Sequence, residues 1–336
     1  MSHLARAIKL LGWTLVWVVA LSCAAWATGA LYYDFPFVAL RVPAAIVFVC
    51  LSVGTMIFAR GTMLKLLSIL IGFVLVVFWW LTLRPSNNRH WQPDVAQTAW
   101  AEIDGDLITM HNVRNCDYRT EIDYTPRWET RTLRVSQITG LDLAINYWGS
   151  PYMAHPIASF QFAGAPPLCF SIETRKEIGE SYSAIGGLYR QYELIYVCAD
   201  ERDVIRVRTN YRHGEDVYIY HTLTSPAQTR ARFLEYLKTL NTLHSSPRWY
   251  NAVTTNCTTS IRTQRPANER TPWDWRILVN GTVDEMLYER HIIATGGLPF
   301  AELKQRSRIN GPARAADQAP DFSRRIREGV PGFGRD

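Results

Sequence analysis

The sequence predicts an α+β protein in which an N-terminal three-helix transmembrane segment precedes a domain of antiparallel sheet plus helices. Three apolar runs fill the first quarter of the 336-residue chain, and a block of strand-like segments followed by helical segments fills most of the rest. Strands that precede helices, instead of alternating with them, are typical of α+β folds. The composition divides the chain into spans at 1–83, a linker at 84–99, a folded domain at 100–311 and a disordered tail at 312–336.

The apolar runs cover residues 10–33, 42–59 and 63–83. Each is close to the ~20 residues that a helix needs to cross a bilayer core of ~30 Å, and aromatic residues gather near their ends. A cleaved signal peptide is the alternative for the first run. Its apolar stretch is too long for that, and two further runs follow, so three transmembrane helices are predicted.

Basic residues indicate which way the helices cross. They precede the first run and flank the turn between the second and third runs: Arg6, Lys9, Arg60 and Lys65. Lysine and arginine accumulate on the cytoplasmic side, although Arg41 argues weakly for the opposite orientation. We therefore expect a bacterial inner-membrane protein with a cytoplasmic N-terminus and a periplasmic domain after Leu83.

Charge and cysteine usage narrow the function classes. The net charge is +6, but the arginines are interleaved with Asp and Glu, which argues against nucleic-acid binding. A basic chain beside a membrane suits anionic lipid head groups.

No CxxC or Cys/His spacing indicates zinc, and we expect no cofactor. Cys169 and Cys198 lie in two strand-like runs and could form a disulfide in an oxidising compartment.

Eight strands and three helices are predicted in the domain. The alternating segments are 106–115, 128–138, 140–150, 154–162, 168–175, 192–198, 203–209 and 216–223. Ser225 and Pro226 are a typical N-cap and first-turn pair for a helix whose apolar stripe is Phe233, Leu237, Leu240 and Leu243. A short helix begins near Cys257, and another lies near 283–293.

Cys257 is the candidate nucleophile. It follows Asn256 in "TTNCTTS", where an Asn N-cap starts a helix, and a thiol at a helix N-terminus loses its proton more easily. The alternative is a small buried cysteine behind an N-cap.

His155 is the candidate general base, because a nucleophilic cysteine usually needs a histidine. A hairpin that turns symmetrically about Ala165 pairs residues 155, 157 and 159 with about 175, 173 and 171. Glu173 then shares the face of His155 and could orient its imidazole. The alternatives are a buried structural histidine and an ion pair of Glu173 with Arg175 or Lys176.

Long stretches of the domain resemble the Lnb N-terminal periplasmic domain family. They include "YWGSPYMAHPIASFQF", "FSIETRKEIGESYSAIGGLYRQYELIYVCADERDVIRVRTNYR" and "WYNAVTTNCTTSIR", within residues 100–310. The resemblance implies a lipoprotein N-acyltransferase with a cysteine–histidine site and a permuted papain-like fold, as in lecithin retinol acyltransferase. By position, the cysteine of the family's "NCTT" is Cys257 and its histidine is His155. Cys116 and Cys198 depart from the family's pattern, which makes them poor catalytic candidates.

The function that we expect is therefore acyl transfer through a Cys257 thioester. The resemblance implies a membrane phospholipid as donor and an amine acceptor such as the N-terminus of an apolipoprotein. Two alternatives stay open at this stage. One is a cell-envelope cysteine hydrolase, a peptidase or amidase, on the same two residues. The other is a non-catalytic envelope protein that uses the same fold for binding.

The predicted orientation can be tested with a C-terminal fusion. Alkaline phosphatase is active only outside the cytoplasm, so its fusion after residue 336 should be active, whereas a cytoplasmic fluorescent reporter at the same point should be dark. The reverse pattern would place the domain in the cytoplasm and remove the basis for a periplasmic substrate.

Overall fold

The computed structural model describes residues 3–150, 152–264, 270, 272–278 and 280–334, and it divides into two compact units. The helical unit comprises Met1–Pro85 and Tyr182–Tyr192, and the sheet unit comprises Ser86–Ser181 and Glu193–Asp336. The predicted α+β class is confirmed, with three long apolar helices followed by a domain of sheet and helices.

The helical unit contains α1 (His3–Asp34), α2 (Val38–Phe58) and α3 (Thr62–Thr82). All three are long and apolar enough to cross a membrane. Most of their large apolar side chains are exposed, which suits a lipid surrounding and not water. Aromatic contacts join α1 to α3, where the ring of Trp26 meets those of Phe73 and Trp80 edge-on at 5.7 and 5.2 Å.

A buried carboxylate organises one end of the helical unit. Asp34, the last residue of α1, accepts hydrogen bonds from Trp80 Nε1 at 2.6 Å and from the Arg190 backbone N–H at 3.1 Å. The guanidinium of Arg190 donates to the carbonyl of Trp80 and lies 3.7 Å from the centre of its ring. Gly29 lets Tyr189 approach, because a Cβ there would lie 2.0 Å from the tyrosine hydroxyl. The ends of α1 and α3 and segment 182–192 are thus held together within this unit.

The sheet unit contains one eight-stranded sheet with the order β1-β2-β9-β8-β7-β6-β10, in which β5 also pairs with β2. Most of its pairs are antiparallel, and β2 meets β9 in parallel. A separate small sheet joins β3 to β4. The strands are β1 Trp100–Asp104, β2 Leu107–Arg114, β3 Asp117–Tyr118, β4 Tyr124–Thr125, β5 Trp128–Arg134, β6 Ile138–Trp148, β7 Ala154–Phe162, β8 Ala165–Arg175, β9 Glu193–Ala199 and β10 Glu215–His221.

Helices cover the sheet on both sides. They are α4 Glu201–Val204, α5 Pro226–Ser245, α6 Cys257–Thr263, α7 Val283–Glu289, α8 Phe300–Arg306, α9 Asn310–Ala315 and α10 Phe322–Arg325. The Ser225 N-cap of α5 is confirmed and forms a capping box with Gln228. The predicted stripe of α5 faces inward, with Phe233, Leu237, Leu240 and Leu243 all buried.

The alternation of side chains along β7 defines the two faces of the sheet. Phe160 packs against Phe233 and Tyr236 of α5, and Pro156 and Ala158 lie on the same side, which we call the α5 face. Ile157 points the other way, into an apolar cluster that includes Ala313 of α9 and Phe322 of α10, and we call this side the α9 face. Both faces are closed to solvent, so most of β7 is buried.

One predicted strand is wrong. Residues 203–209 form part of α4 and a π-helical turn at Val207–Tyr211. The alternating letters "VIRVR" imitate a strand, but the side chain of Asp200 accepts a hydrogen bond from the Arg202 N–H and starts a helix. The carboxylate of Asp203 then forms a buried ion pair with Arg114 at 2.7 Å, which holds the helical turn against β2.

The structure differs from the expected disordered tail at 312–336. Ala313, Phe322 and Ile326 are fully buried in the cluster on the α9 face. The segment has few apolar residues, but they are placed where the sheet needs a cover. The guanidinium of Arg327 reaches through the same layer to Asp142 and Glu201. Low apolar content in this segment was therefore a poor guide to disorder.

The structure also differs from the expected linker at 84–99. Trp91, Val95 and Ala99 are buried, and the guanidinium of Arg175 donates to the Val95 carbonyl at 2.9 Å. The same guanidinium lies 4.2 Å from the centre of the Trp91 ring. Most of this segment is therefore a packed part of the sheet unit.

Cys169 and Cys198 do not pair. Cys169 lies opposite Ala199, and Cys198 lies opposite Phe170, so the two side chains point to opposite faces of the sheet. Both are free thiols, as are the other four cysteines. A disulfide between them would need a shift of one residue in the register of β8 against β9.

The packed C-terminal segment predicts a large effect at Phe322. Truncation of a fully buried phenylalanine to alanine typically costs about 3–5 kcal/mol, so Phe322→Ala should strongly lower the free energy of unfolding. Ile122→Ala is the matched control, because Ile122 is 91% exposed. Thermal melting of both variants in detergent would test this. Equal melting temperatures for Phe322→Ala and the unsubstituted protein would mean that the segment does not complete the core.

Candidate active site

Cys257 is the first residue of α6, as predicted. The side chain of Asn256 caps the helix by accepting a hydrogen bond from the Thr259 N–H at 2.9 Å, and Thr259 returns one to the Asn256 N–H. The cap fixes the start of the helix and thereby the position of the thiol. Cys257 is only 7% exposed. Its Sγ lies 3.6 Å from Asn280 Nδ2 and 3.8 Å from the hydroxyl of Thr258.

The thiol is protonated in this arrangement. Burial raises the pKa of Cys257, and the hydrogen bonds from Thr258 and Asn280 only partly offset it. This differs from the lowered pKa expected of a thiol at a helix N-terminus. The helix has seven residues and the site is enclosed, so desolvation of the thiolate outweighs the pull of the helix start. A base is needed if this thiol is to become a nucleophile.

His155 and Glu173 are brought together through a third residue. The hairpin pairs Ile157 with Ser171, so Glu173 lies opposite the position of His155, and not two residues away from it as predicted. The two residues share the α9 face, as expected. Ser171 joins them: its Oγ lies 2.7 Å from His155 Nε2 and donates to Glu173 Oε1 at 2.7 Å.

This chain of hydrogen bonds determines which nitrogen of His155 carries the proton. An ionised carboxylate can only accept, so the hydroxyl hydrogen of Ser171 is committed to Glu173. Nε2 of the imidazole must then donate to the Ser171 oxygen. Nδ1 is left with the lone pair, and it is the nitrogen that could accept a proton in a reaction.

Arg208 keeps Glu173 ionised. Burial alone would raise the pKa of Glu173, but the guanidinium of Arg208, whose Nη2 lies 2.8 Å from Glu173 Oε1, holds that pKa well below its ordinary value. The alternative partners Arg175 and Lys176 are not used, and Arg175 contacts the segment around Val95 instead. For His155, burial and the nearby Arg208 lower the pKa to about 3, which outweighs the attraction of Glu173. The imidazole is therefore neutral at physiological pH.

The imidazole and the thiol are not in contact. Among the residues that the structure describes, no hydrogen bond joins His155 to Cys257. Thr258 lines a pocket together with Pro156 and Ala158 on the α5 face, whereas His155 alternates with Pro156 along β7 and points to the α9 face.

Asn280 nevertheless links the start of β7 to the thiol. Asn280 Oδ1 accepts the Ala154 N–H at 2.8 Å, while the Nδ2 of the same amide faces the thiol. The side-chain amide of Asn280 therefore bridges the thiol of Cys257 and the backbone N–H of Ala154, the residue before His155.

Comparison with known families agrees with the resemblance noted in the sequence. Residues 124–281 match the family model of the Lnb N-terminal periplasmic domain. The predicted resemblance to this family is thereby confirmed over these residues. No curated protein and no solved structure matches the chain. The match includes Cys257, His155 and Glu173, and with the three apolar helices it identifies a membrane-anchored protein with a periplasmic domain.

Three residues of this site were missed by sequence reasoning: Ser171, Arg208 and Asn280. A strand alternation of "CFSIE" places Ser171 on the face of Glu173, so its position between His155 and Glu173 could have been found from a correct hairpin register. Arg208 was hidden by the mistaken strand at 203–209. Asn280 lies in a short turn, Asn280–Thr282, whose path no local pattern predicts.

The lowered pKa of His155 predicts an acid-sensitive contribution to the stability of the sheet unit. In the unfolded chain His155 binds a proton near its ordinary pKa of 6.5, whereas in the folded domain it does so only near 3. The unfolded state then binds more protons between these values, so stability is full above about pH 6.5 and falls as the pH drops towards 3. At pH 5 the loss due to His155 should reach up to about 2 kcal/mol.

Unfolding at pH 7.5 and pH 5.0, compared between the unsubstituted protein and His155→Gln, would measure this contribution. The variant should lose less stability on acidification. His213→Gln, at an exposed position, is the control and should behave as the unsubstituted protein. An identical loss in the His155 variant would show that the ring is not held neutral.

Proposed function

We propose that this protein is a membrane-anchored thiol acyltransferase, in which Cys257 takes an acyl chain from a phospholipid and passes it to an amine, such as the N-terminus of an apolipoprotein. The observation that carries the proposal is an apolar pocket beside the nucleophile. Thr258 and Ile261 of α6 form part of its wall, so the pocket begins at the residue next to Cys257. A hydrolase of peptides would gain little from such a wall.

The pocket has the chemistry of a site for an acyl chain. Its volume is about 770 Å³ when the space at its open mouth is included. Its wall is mostly aliphatic and joins the α5 face of the sheet to α6 and α7: Leu141, Leu143, Pro156, Ala158, Ile261, Ile277, Val283, Met286, Leu287 and Ile292. Burial of methylene groups against such a wall contributes about 0.8 kcal/mol each, which would bind the chain beside the thiol.

His155 is the base in this proposal. The neutral imidazole has its lone pair on Nδ1, and a neutral base is what a protonated thiol requires. The ring must turn from Ser171 towards the α5 face to reach the sulfur. Pairing of β7 with β8 stops at Ile157 and Ser171, two residues before the position where His155 faces Glu173. We propose that the ring turns at this unpaired end of β7.

The first step then balances as follows. Nδ1 of His155 takes the thiol proton, and the Cys257 sulfur forms a bond to the ester carbonyl carbon of the phospholipid. The carbonyl oxygen becomes an oxyanion, and its collapse breaks the bond to the lysophospholipid oxygen, which receives the proton from the imidazolium. In the second step the amine attacks the thioester carbonyl, the C–S bond breaks, and the thiol is regenerated with a proton lost by the amine.

The membrane helices suit this reaction. The phospholipid donor and a lipid-bearing acceptor both reside in the bilayer, and three helices long enough to cross it keep the domain on the same membrane. Only Arg84 and Pro85 lie between Leu83, which follows α3, and Ser86, the first residue of the sheet unit. Encounter of enzyme and substrate is thereby confined to the membrane surface.

Mass spectrometry of the intact protein tests the proposal. The full chain in phospholipid nanodiscs, without an amine acceptor, should gain the mass of one acyl chain, and hydroxylamine should remove it as expected for a thioester. Cys257→Ala should show no adduct. His155→Ala should form it about 10²–10⁴-fold more slowly, the range expected for loss of a general base.

Cys198→Ala is the matched control, since that thiol is buried on a strand and should leave adduct formation unchanged. Absence of any thiol-dependent adduct in the unsubstituted protein would refute acyl transfer. Release of free fatty acid at the rate of adduct formation, with no transfer to an added lipopeptide amine, would instead indicate a hydrolase on the same residues.

A further inference from the structure

Asn280 is held in a fixed orientation at the thiol. Its Oδ1 accepts the backbone N–H of Ala154 at 2.8 Å, which commits the oxygen of the amide to β7. Its Nδ2 therefore points the other way, 3.1 Å from the Thr258 hydroxyl and 3.6 Å from the Cys257 Sγ. An amide nitrogen has two hydrogens, so one can serve Thr258 while the other is directed at the sulfur.

From this geometry we infer that Asn280 is an oxyanion donor of the thiol, acting with the first backbone N–H groups of α6. The inference rests on the proposed function and adds a catalytic residue to its site. In the tetrahedral intermediate the oxyanion is attached to the carbon that is bonded to Sγ, so it lies beside the sulfur. A donor that already contacts the sulfur from the side can then reach the oxyanion at about 3 Å.

The surroundings favour this role over a merely structural one. The first N–H groups of a helix have no intrahelical acceptor, and those of Cys257 and Thr258 act on the sulfur, where they lower the pKa of the thiol. Asn280 adds a side-chain donor from a different segment, the turn Asn280–Thr282. Two donor sets that converge on one atom from separate elements are the arrangement that stabilises a developing negative charge.

The orientation of the Asn280 amide also links this donor to β7, the strand that contains His155. The Ala154 N–H is bound by the same amide whose nitrogen faces the thiol, and Ala154 is followed directly by His155. Asn280 therefore sets the position of the start of β7 against the start of α6. Loss of the amide should affect the oxyanion most, because the strand pairing between β6 and β7 still holds Ala154 opposite Tyr147.

Two reactions of the same thiol separate the roles of Asn280. Acylation by p-nitrophenyl butanoate passes through an oxyanion, whereas alkylation by iodoacetamide is a direct displacement at carbon and forms none. Both depend on the exposure and ionisation of Cys257. The ratio of the acylation rate to the alkylation rate therefore reports stabilisation of the oxyanion alone.

In Asn280→Ala this ratio should fall by about 10²–10³, the cost of one oxyanion donor. Asn280→Asp keeps an oxygen for the Ala154 N–H but has no donor for the oxyanion, so its ratio should fall at least as far. Asn241→Asp is the matched control, because Asn241 also bridges a strand with its amide, at Ala101 N and O, on a different part of the sheet. Its ratio should stay within about twofold of the unsubstituted protein.

A fall of both rates together in Asn280→Ala, with the ratio unchanged, would overturn the inference and leave Asn280 as a structural residue. Failure of the proposed function has a different signature. In that case the nanodisc experiment would give no thiol-dependent adduct, or would release free fatty acid without transfer to the amine, whatever the ratio measured for Asn280→Ala.

Discussion

The central sheet must be covered on both faces, and most of the architecture follows from this constraint. All seven residues of β9 and eight of the eleven residues of β6 are buried. On the α5 face the cover is the long amphipathic helix with its capping box. On the α9 face it is a set of short helices and turns that depend on a few well-placed apolar residues. The same division separates the surroundings of the thiol from those of the imidazole.

Buried charges hold the second cover in place. Arg327 pairs with Asp142 and Glu201 through the layer on the α9 face, and both carboxylates are almost completely enclosed. Arg208 pairs with Glu173 on the same face. Such pairs contribute little net stability after the cost of removing them from water, but loss of one partner leaves a charge buried without compensation. They therefore restrict how the short helices can pack on the sheet. At Glu173 the ion pair also determines where the protons lie in the hydrogen-bond chain from Glu173 through Ser171 to His155.

Local patterns in the sequence predicted much of the fold. Seven of the eight predicted strands overlap strands of the sheet, and the starts of α5 and α6 are at their N-caps because Ser225 and Asn256 bond to the first turn. The failures share a cause. At 203–209 and at 312–336, the conformation is decided by partners distant in sequence, Arg114 for Asp203 and the sheet itself for Phe322. In the candidate site, Cys257, His155 and Glu173 could be selected from their residue types. Prediction of Ser171 would have needed the correct strand register, and prediction of Asn280 would have needed the path of a turn. The side of the sheet to which each side chain points was likewise beyond any single-residue argument.

The short helices that cover the α9 face follow the strands in the chain, and this order has a consequence for biogenesis. Strands β6 to β10 leave the ribosome and cross the membrane well before Phe322, Ile326 and Val330, which close the α9 face. Until those residues arrive, a sheet with an open apolar side is exposed on the far side of the membrane. Translocation of the last helices, and not synthesis of the strands, is then the event that completes the domain, and chaperones of that compartment would meet the unfinished sheet during the interval.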